Sequence, residues 1–198
     1  MKKIIISALN ILSLSVSRII RILNPLLLKV FRLWRLTQMR SKVFGNLPNS
    51  TQLDGYVDVI GTGKVEFGEY CRIGSNVVIE TQGNGIIKLG NNVRINQGSV
   101  LVSYEGITIG NDSLIGEYCS IRDANHGTKL NDLIRIQPHN HSPIVINNDC
   151  WVARGVTILK GAYLDDGCVV GANSVVTGKI NKNEVAVGAP AKVIKMRQ

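Results

Sequence analysis

All three histidines of this 198-residue chain fall in one short segment, at His126, His139 and His141. An imidazole ionises near neutral pH, so a histidine on a loop leaving a rigid scaffold is suited to general-base catalysis. Asp123 precedes His126 by three residues and could orient its imidazole. A loop histidine is more commonly an ordinary surface residue. The segment is therefore a candidate catalytic loop with a structural alternative.

Metal binding is the other chemistry that these residue types allow. His139 and His141 form a His-x-His pair, but no third ligand is evident. The four cysteines, none of them in Cys-x-x-Cys spacing, are Cys71, Cys119, Cys150 and Cys168. Reactive or zinc-binding cysteines need exposure or paired spacing. We therefore expect no metal cofactor, and cysteine usage gives no evidence for an oxidising compartment.

Aliphatic residues recur with a six-residue period that neither a helix nor a plain strand produces. The longest uninterrupted run is Ile146, Val152, Ile158, Leu164, Val170 and Val176. A coiled β-solenoid has this period, because each hexapeptide forms one short side and directs its aliphatic side chain into the core. Blocks of three hexapeptides begin upstream at Phe67, Leu89 and Ile109. We predict triangular coils, about five of them complete, after a poorly patterned first coil at 49–65.

A second register, four positions after each aliphatic residue, holds small residues. Its members are Cys71, Val77, Val93, Ser99, Ser113, Cys119, Cys150, Val156, Ala162, Cys168 and Ser174. All four cysteines belong to it, which predicts that they are buried fillers packing as small apolar groups. Cys150 and Cys168 should stack on neighbouring coils at the ordinary strand separation of ~4.8 Å.

The repeat also locates the histidines, because its largest interruption runs from about 125 to 143. His126 lies where this excursion begins, and His139 and His141 lie near its end. We predict two parts: a basic, apolar helical segment at 1–46 and a solenoid domain at 47–198 with an excursion loop at about 125–143.

The N-terminal segment carries the whole net charge of +9: residues 1–53 hold nine basic residues and no acidic one. Arg18 and Lys29, like Arg21 and Arg32, are eleven residues apart, close to three helical turns, and should form one basic stripe. Pro25 should kink or split the helix. A basic stripe on an otherwise apolar helix containing Trp34 favours a helix lying in an anionic membrane interface.

Three alternatives remain for this segment: a signal peptide, a spanning helix, and a helix whose apolar face packs on the solenoid or on a partner subunit. Nucleic acid is a weaker fit, because the basic residues are embedded among aliphatic ones. We expect no nucleic-acid partner.

Two segments carry a resemblance to a known family: VINNDCWVARGVTILKGAYLDDGCVVGANSVVTGKI and VAVGAPAKVIK, together with the NHG histidine 25 residues before Trp151. From about residue 57 to 197 the chain resembles the hexapeptide-repeat acyltransferases, in the group of bacterial sugar O-acetyltransferases that act on galactosides, maltose, capsule and lipopolysaccharide. The resemblance implies an all-β fold, a left-handed parallel β-helix with an N-terminal helical segment. It also implies a homotrimer with active sites between adjacent subunits.

The same resemblance assigns roles to individual residues. It implies that His126 is the catalytic base and that Asn96 contacts the acceptor and the reacting centre. Trp151 matches a tryptophan lining the coenzyme channel, and backbone groups of Arg154 and Ala172 match positions that bind the pantetheine arm. Matches to the region receiving the coenzyme A phosphates are Lys179, Lys192 and Lys195. Arg154 stands where small residues are usual, which could narrow the channel or add a phosphate contact.

We therefore expect an acetyl-CoA-dependent O-acetyltransferase acting on a sugar hydroxyl of a cell-surface polysaccharide or its precursor. It would be cytoplasmic, at the inner face of the membrane. The basic apolar N-terminus replaces the polar helical segment of the galactoside and maltose enzymes, so their acceptors do not carry over. Two alternatives remain: acetylation of an amino sugar or another small molecule, and a solenoid adaptor that has lost catalysis.

Overall fold

The computed structural model describes residues 2–198, except for the side chains of residues 2–12, 15, 18, 22 and 26. One helix, α1 (Lys2–Arg40), precedes a β-solenoid. The first three coils comprise β1 (Gln52–Leu53), β2 (Val57–Ile60), β3 (Lys64–Phe67), β4 (Arg72–Ile73), β5 (Val77–Thr81), β6 (Ile86–Leu89), β7 (Arg94–Ile95), β8 (Val100–Ser103) and β9 (Gly106–Ile109).

The fourth coil holds the excursion between its second and third sides. It comprises β10 (Leu114–Ile115), β11 (Ser120–Arg122), β12 (Ala124–Asn125), a 3₁₀ turn (Ile134–Ile136), β13 (Asn140–His141) and β14 (Ile144–Ile146). The remaining strands are β15 (Trp151–Val152), β16 (Thr157–Leu159), β17 (Tyr163–Leu164), β18 (Val169–Val170), β19 (Val175–Val176), β20 (Lys179–Ile180), β21 (Glu184–Val187) and β22 (Lys192–Met196).

Three parallel sheets form the sides of a triangular prism. The first sheet has the order β1-β4-β7-β10-β15-β18-β21-β22, the second β2-β5-β8-β11-β16-β19 and the third β3-β6-β9-β14-β17-β20. Only β22 in these sheets runs antiparallel, folding back on β21. The all-β solenoid is thus confirmed, with six coils as the repeat predicted.

The six-residue register forms the core. On the first sheet Ile73, Ile95, Ile115, Val152 and Val170 lie opposite one another and are fully buried. Each aliphatic side chain therefore packs on its equivalents in the coils before and after it, which removes the whole column from water. The six-residue repeat in the sequence therefore follows from this stacking.

The predicted buried cysteines are confirmed: all four are free and buried. Each thiol donates to a backbone carbonyl of the next coil, as from Cys119 Sγ to Ala153 O over 3.2 Å and from Cys150 Sγ to Asp165 O over 3.1 Å. Burial raises the thiol pKa of Cys71 and Cys119. A hydrogen bond with Cys168, together with burial, raises the pKa of Cys150. These groups stay protonated at neutral pH and do not act as nucleophiles.

Replacing Cys150 by Ala should lower the free energy of unfolding by only about 1 kcal/mol, because it leaves a void the size of one sulfur atom. Ile158→Ala, in the same coil and equally buried, is the matched control and should cost about 2–5 kcal/mol. Urea unfolding followed by circular dichroism measures both values. A loss of activity in a stably folded Cys150→Ala variant would contradict the filler assignment.

The corner between the first and second sheets has the same backbone shape in five successive coils. A residue with positive φ occupies the same place each time: Asn76, Gly98, Tyr118, Gly155 and Asn173. Gly155 (φ +70°) adopts this left-handed conformation without steric cost and lies against the Asn173 side chain of the next coil. This repeated turn sets the backbone geometry of the candidate site.

The end of α1 caps the first coil. Leu36 and Met39 are buried against the solenoid core, and chain pairing with the third sheet begins at Phe44, which bridges to Lys64. Further back, Phe31 and Trp34 are more than half exposed. No helix within residues 2–198 has a stretch apolar enough to cross a membrane.

Of the kink or split expected at Pro25, the split is not observed, because α1 continues through it as one helix. Pro25 lies on the stripe of Arg21, Lys29 and Arg32, all exposed. A proline removes the hydrogen bond to the carbonyl four residues earlier, here that of Arg21, which faces solvent. The side chain of Arg18, which was expected on this stripe, lies outside the described residues.

Candidate active site

The excursion presents its histidines on a two-stranded ribbon. Strands β12 and β13 pair antiparallel, with Asn125 opposite Asn140. Gly127 N–H donates to Pro138 O over 3.1 Å, which extends the ribbon by one further contact. His126 and His139 are thereby brought into ring contact, with 44° between the ring planes, although they are thirteen positions apart in the chain.

The rings of three side chains form a column beside this ribbon. The centroids of His126 and His139 lie 4.3 Å apart, and those of His139 and Tyr104 lie 4.5 Å apart. Tyr104 Oη lies 3.4 Å from His139 Nε2. His126 is at the exposed end of the column, as expected of a group that must reach a substrate.

Asp123 does not orient His126, which corrects the expectation from sequence. Its buried carboxylate accepts bonds from Ser103 Oγ and from the backbone N–H groups of Tyr104, Glu105 and Gly106, at 2.7–2.9 Å. A buried carboxylate needs several donors to compensate its lost hydration, and a turn in the preceding coil supplies them. Asp123 therefore fixes the turn that carries Tyr104.

His141 is separate from the column. Its Nδ1 lies 2.9 Å from Glu105 Oε2, and both side chains are about half exposed. Within residues 2–198 no three His, Cys, Asp or Glu side chains cluster as a metal site would require.

A cleft of about 470 Å³ runs along the corner between the first and second sheets. Its lining includes Asn96, Trp151, Arg154 and Ala172, four residues singled out from the sequence. Asn96 follows β7, Arg154 follows β15 and Ala172 follows β18, so each comes from the same turn position or its neighbour in a different coil. The stacking of coils thus collects residues that are far apart in the chain.

Backbone amides along this cleft are free to bind a ligand. In the described chain the N–H groups of Glu117, Arg154 and Ala172 donate to no protein acceptor. The carbonyls of Glu117 and Arg154 are used, because Gly155 N–H and Asn173 N–H donate to them over 2.8 and 2.9 Å. An extended molecule with amide carbonyls could accept bonds from successive coils at strand spacing.

Trp151 lies on the outer face of the first sheet and is 53% exposed. Leu114 precedes it in the same row, and Val169, Val185 and Lys195 follow it on successive strands. Lys195 is three strands away, roughly 14 Å at ordinary strand spacing.

The three lysines do not form one group. Lys192 pairs with Val187, whose side chain lies against Gly171 at the end of the cleft. Lys179 begins β20 on the third sheet, where its Nζ lies 5.5 Å from the Tyr163 ring centroid. Within one protomer it is on a different side of the prism from Trp151.

The Arg154 side chain packs over Tyr118, with its guanidinium carbon 5.5 Å from the ring centroid. Tyr118 follows β10 in the coil before. This cation–π contact holds the guanidinium against the preceding coil, while Arg154 remains part of the cleft lining.

The catalytic candidate and the cleft lie on different edges of the prism. The cleft follows the first sheet, whereas His126 leaves the corner between the second and third sheets, after β11 and β12. One protomer therefore presents the two halves of the expected site separately.

The chain was then compared with known proteins. A family model described as "Bacterial transferase hexapeptide (six repeats)" matches residues 143–178. The putative lipopolysaccharide biosynthesis O-acetyl transferase of Escherichia coli (strain K12) is 39% identical over 141 residues, covering 67% of this chain and 72% of that protein. The chain belongs to the hexapeptide-repeat acyltransferases. The family and the acetyltransferase activity expected from the sequence are thereby confirmed.

This hexapeptide-repeat acyltransferase is also similar to proteins of known structure. A hexapeptide-repeat acetyltransferase of Vibrio cholerae O1 biovar eltor, complexed with acetyl coenzyme A, is 27% identical with a TM-score of 0.51, covering 75% of this chain and 72% of that one. A mutant of AntD, an N-acyltransferase from Bacillus cereus in complex with dTDP and coenzyme A, is 17% identical with a TM-score of 0.71 over 82% and 88% of the two chains. At that identity the second likeness concerns the fold alone.

Two of the three rings in the column, those of His139 and Tyr104, were not predicted from the sequence to lie beside His126. From sequence His139 is a candidate only as a metal ligand, and Tyr104 is not a candidate, because it lies outside the six-residue register. The available signal was the position of Asp123, since a fully buried aspartate needs donors from a neighbouring coil. One coil earlier, the Tyr104–Gly106 insert is where those donors lie.

Proposed function

We propose that this protein transfers an acetyl group from acetyl-CoA to a sugar hydroxyl of a cell-surface polysaccharide or its precursor. The observation that carries the proposal is the cleft of Asn96, Trp151, Arg154 and Ala172, with unpaired backbone amides along it. The name of the Escherichia coli relative, a lipopolysaccharide biosynthesis O-acetyl transferase, supports this acceptor class.

The cleft is suited to the acetyl donor. The pantetheine arm of coenzyme A is extended and contains two amides, which match the free N–H groups of Arg154 and Ala172 on successive coils. The exposed indole of Trp151 offers an apolar wall to the arm. At the C-terminal end of the cleft, Lys192 and Lys195 supply positive charge for the phosphates. Lys179 reaches this region only from another protomer.

The chemistry needs a base and no covalent enzyme intermediate. His126 takes the proton of the acceptor hydroxyl, and the hydroxyl oxygen attacks the thioester carbon. Asn96 contacts the acceptor and the reacting centre. The tetrahedral intermediate collapses by breaking the carbon–sulfur bond, and the thiolate recovers a proton from the imidazolium of His126. Direct transfer is favoured because the cysteines are buried thiols.

A homotrimer would complete the site. His126 and the cleft occupy different edges of the same prism, so an adjacent subunit must bring its His126 to this cleft for transfer to occur. Three-fold packing of prisms achieves this for all three sites at once, since each subunit gives a histidine to one neighbour and a cleft to the other.

The helix α1 would hold the trimer on the inner face of the cytoplasmic membrane. Three of its described basic side chains, Arg21, Lys29 and Arg32, share one stripe, while its described apolar residues before Leu36 remain exposed. The exposed apolar members are Leu14, Val16, Ile19, Ile20, Leu23, Leu27, Leu28, Val30, Phe31, Leu33 and Trp34. A helix of this pattern lies in the interface with its apolar face among acyl chains and its cations at anionic headgroups. Lipid-linked acceptors would be within reach there.

A panel of acceptors tests the proposed function. Full-length protein is incubated with acetyl-CoA and with nucleotide sugars, neutral oligosaccharides or amino sugars, and thiol release is followed. Products are then treated with mild alkali, which cleaves O-acetyl esters and leaves N-acetyl amides. We expect alkali-labile acetylation of a neutral sugar. Transfer to amino sugars alone, or no thiol release with any sugar, would contradict it.

A further inference from the structure

In the described part of the chain the ring of His126 has one aromatic neighbour, which is the ring of His139. It is exposed, and no hydrogen bond in the described part of the chain involves either of its nitrogens. A side chain with two free torsions and no partner would sample several rotamers. A general base must instead lie within hydrogen-bond reach of its proton. A neighbouring group must therefore restrict the orientation of the His126 ring.

The support is itself anchored in the solenoid. His139 is half-buried between the two other rings, 4.5 Å from Tyr104 and 4.3 Å from His126. Tyr104 Oη lies 3.4 Å from Nε2 of His139. The Tyr104 turn is bonded to the buried carboxylate of Asp123 through three consecutive N–H groups. Rigidity thus passes from the core through Asp123 and Tyr104 to the histidine pair.

We propose that His139 is a positioning residue for His126: its imidazole, held by Tyr104, fixes the ring of the base by stacking. This inference rests on the proposed function, because it assigns His126 the role of base. Stacked rings allow offset and tilted packing, which leaves the nitrogens of His126 open towards solvent and substrate. Asp123 acts on His126 only indirectly, by fixing the turn that carries Tyr104.

The first test measures the contact without substrate. The chain has three histidines, so full-length protein labelled only at histidine gives few imidazole signals, which single substitutions assign. In His139→Ala the carbon-bound ring protons of His126 should lose the ring-current shift caused by stacking. His139→Phe should retain a shift, and His141→Ala should leave these signals unchanged. Unchanged His126 signals in His139→Ala would overturn the proposal, whatever the activity of the protein.

The second test separates positioning from chemistry. His139→Ala should lower kcat on the order of 10²-fold, the scale of a misplaced catalytic group, with little change in the KM for acetyl-CoA. His139→Phe should restore most of kcat, because it keeps a ring in the column. Tyr104→Phe, which removes only the hydroxyl group, should have a smaller effect. A defect that Phe does not relieve would mean that the His139 imidazole takes part in proton transfer, and the positioning role would be wrong.

Failure of the positioning role and failure of the proposed function give different results. If wild-type protein acetylates no acceptor, the magnetic resonance experiment still decides whether His139 holds His126. If transfer is robust and the His126 signals do not respond to His139, the enzyme assignment stands and the column has no role.

Discussion

His126→Ala is expected to lower acetyl transfer by about 10²–10⁴-fold, the usual contribution of a general base. Binding of acetyl-CoA should remain close to normal, because the cleft lined by Trp151 and Ala172 lies at a different edge of the protomer. Steady-state rates and calorimetric titration with acetyl-CoA measure the two quantities separately.

The matched control is His141→Ala. His141 belongs to the same ribbon and is equally accessible, but it pairs with Glu105 and lies outside the ring column. It should retain normal kcat. Near-normal turnover in His126→Ala would remove the base from the mechanism, and equal losses in both variants would indicate general damage to the excursion.

Subunit mixing tests the proposed site between subunits of a homotrimer. Trp151→Ala should weaken donor binding and His126→Ala removes the base, so at low acetyl-CoA concentration each variant alone should have little activity. In trimers refolded from an equal mixture, about a quarter of the sites should combine a natural histidine from one subunit with a natural cleft from the next. Activity should return to that level. A mixture as inactive as its components would mean that the site does not cross subunits.

Removal of residues 2–33 should abolish binding to anionic vesicles while leaving the solenoid folded. The truncation point matters, because Leu36 and Met39 are buried against the first coil and must be retained. Full-length protein should sediment with phosphatidylserine-containing vesicles, less so at high salt, since screening shortens the reach of surface charge. Circular dichroism confirms that the truncated chain retains its β structure.

A charge variant separates electrostatic from apolar binding. Replacing Arg21, Lys29 and Arg32 together by Gln removes the basic stripe and keeps the helix intact. At about 1 kcal/mol per cation near an anionic surface, affinity should fall roughly 10²-fold. Sedimentation of the truncated and full-length chains to the same extent would mean that α1 packs on protein instead. The acetyltransferase assignment would then stand without a membrane-linked acceptor.

The fold was predictable because the same packing interaction recurs on every side of every coil. Ile146, Val152 and Ile158 are six residues apart since each side of the prism contributes one core position. The same logic placed Cys150 and Cys168 in the core, where only a small side chain fits beside the aliphatic column. The cleft was partly predictable, because Arg154 and Ala172 are one coil apart and must stack.

The excursion was not predictable in this way, because it leaves the repeat. The partners of Asp123 come from another insert, one coil earlier, and no periodic rule relates the two. The contact between His126 and His139 depends on the pairing of β12 with β13, a ribbon too short to give a sequence signal. The helix does not split at Pro25, because the carbonyl that the proline leaves without a donor lies on the exposed side of α1.

The stacked coils also act as a ruler. Between β2, which contacts α1, and β11, after which the excursion begins, the second sheet makes three strand-to-strand steps. At ~4.8 Å a step, the base of the excursion lies roughly 14 Å from the coil that α1 caps. Insertion of one coil between β3 and β7 would increase this distance by a fixed increment while leaving Asn96 and the rest of the cleft in place. If α1 lies on a membrane as proposed, the number of coils would set the distance between the lipid surface and His126.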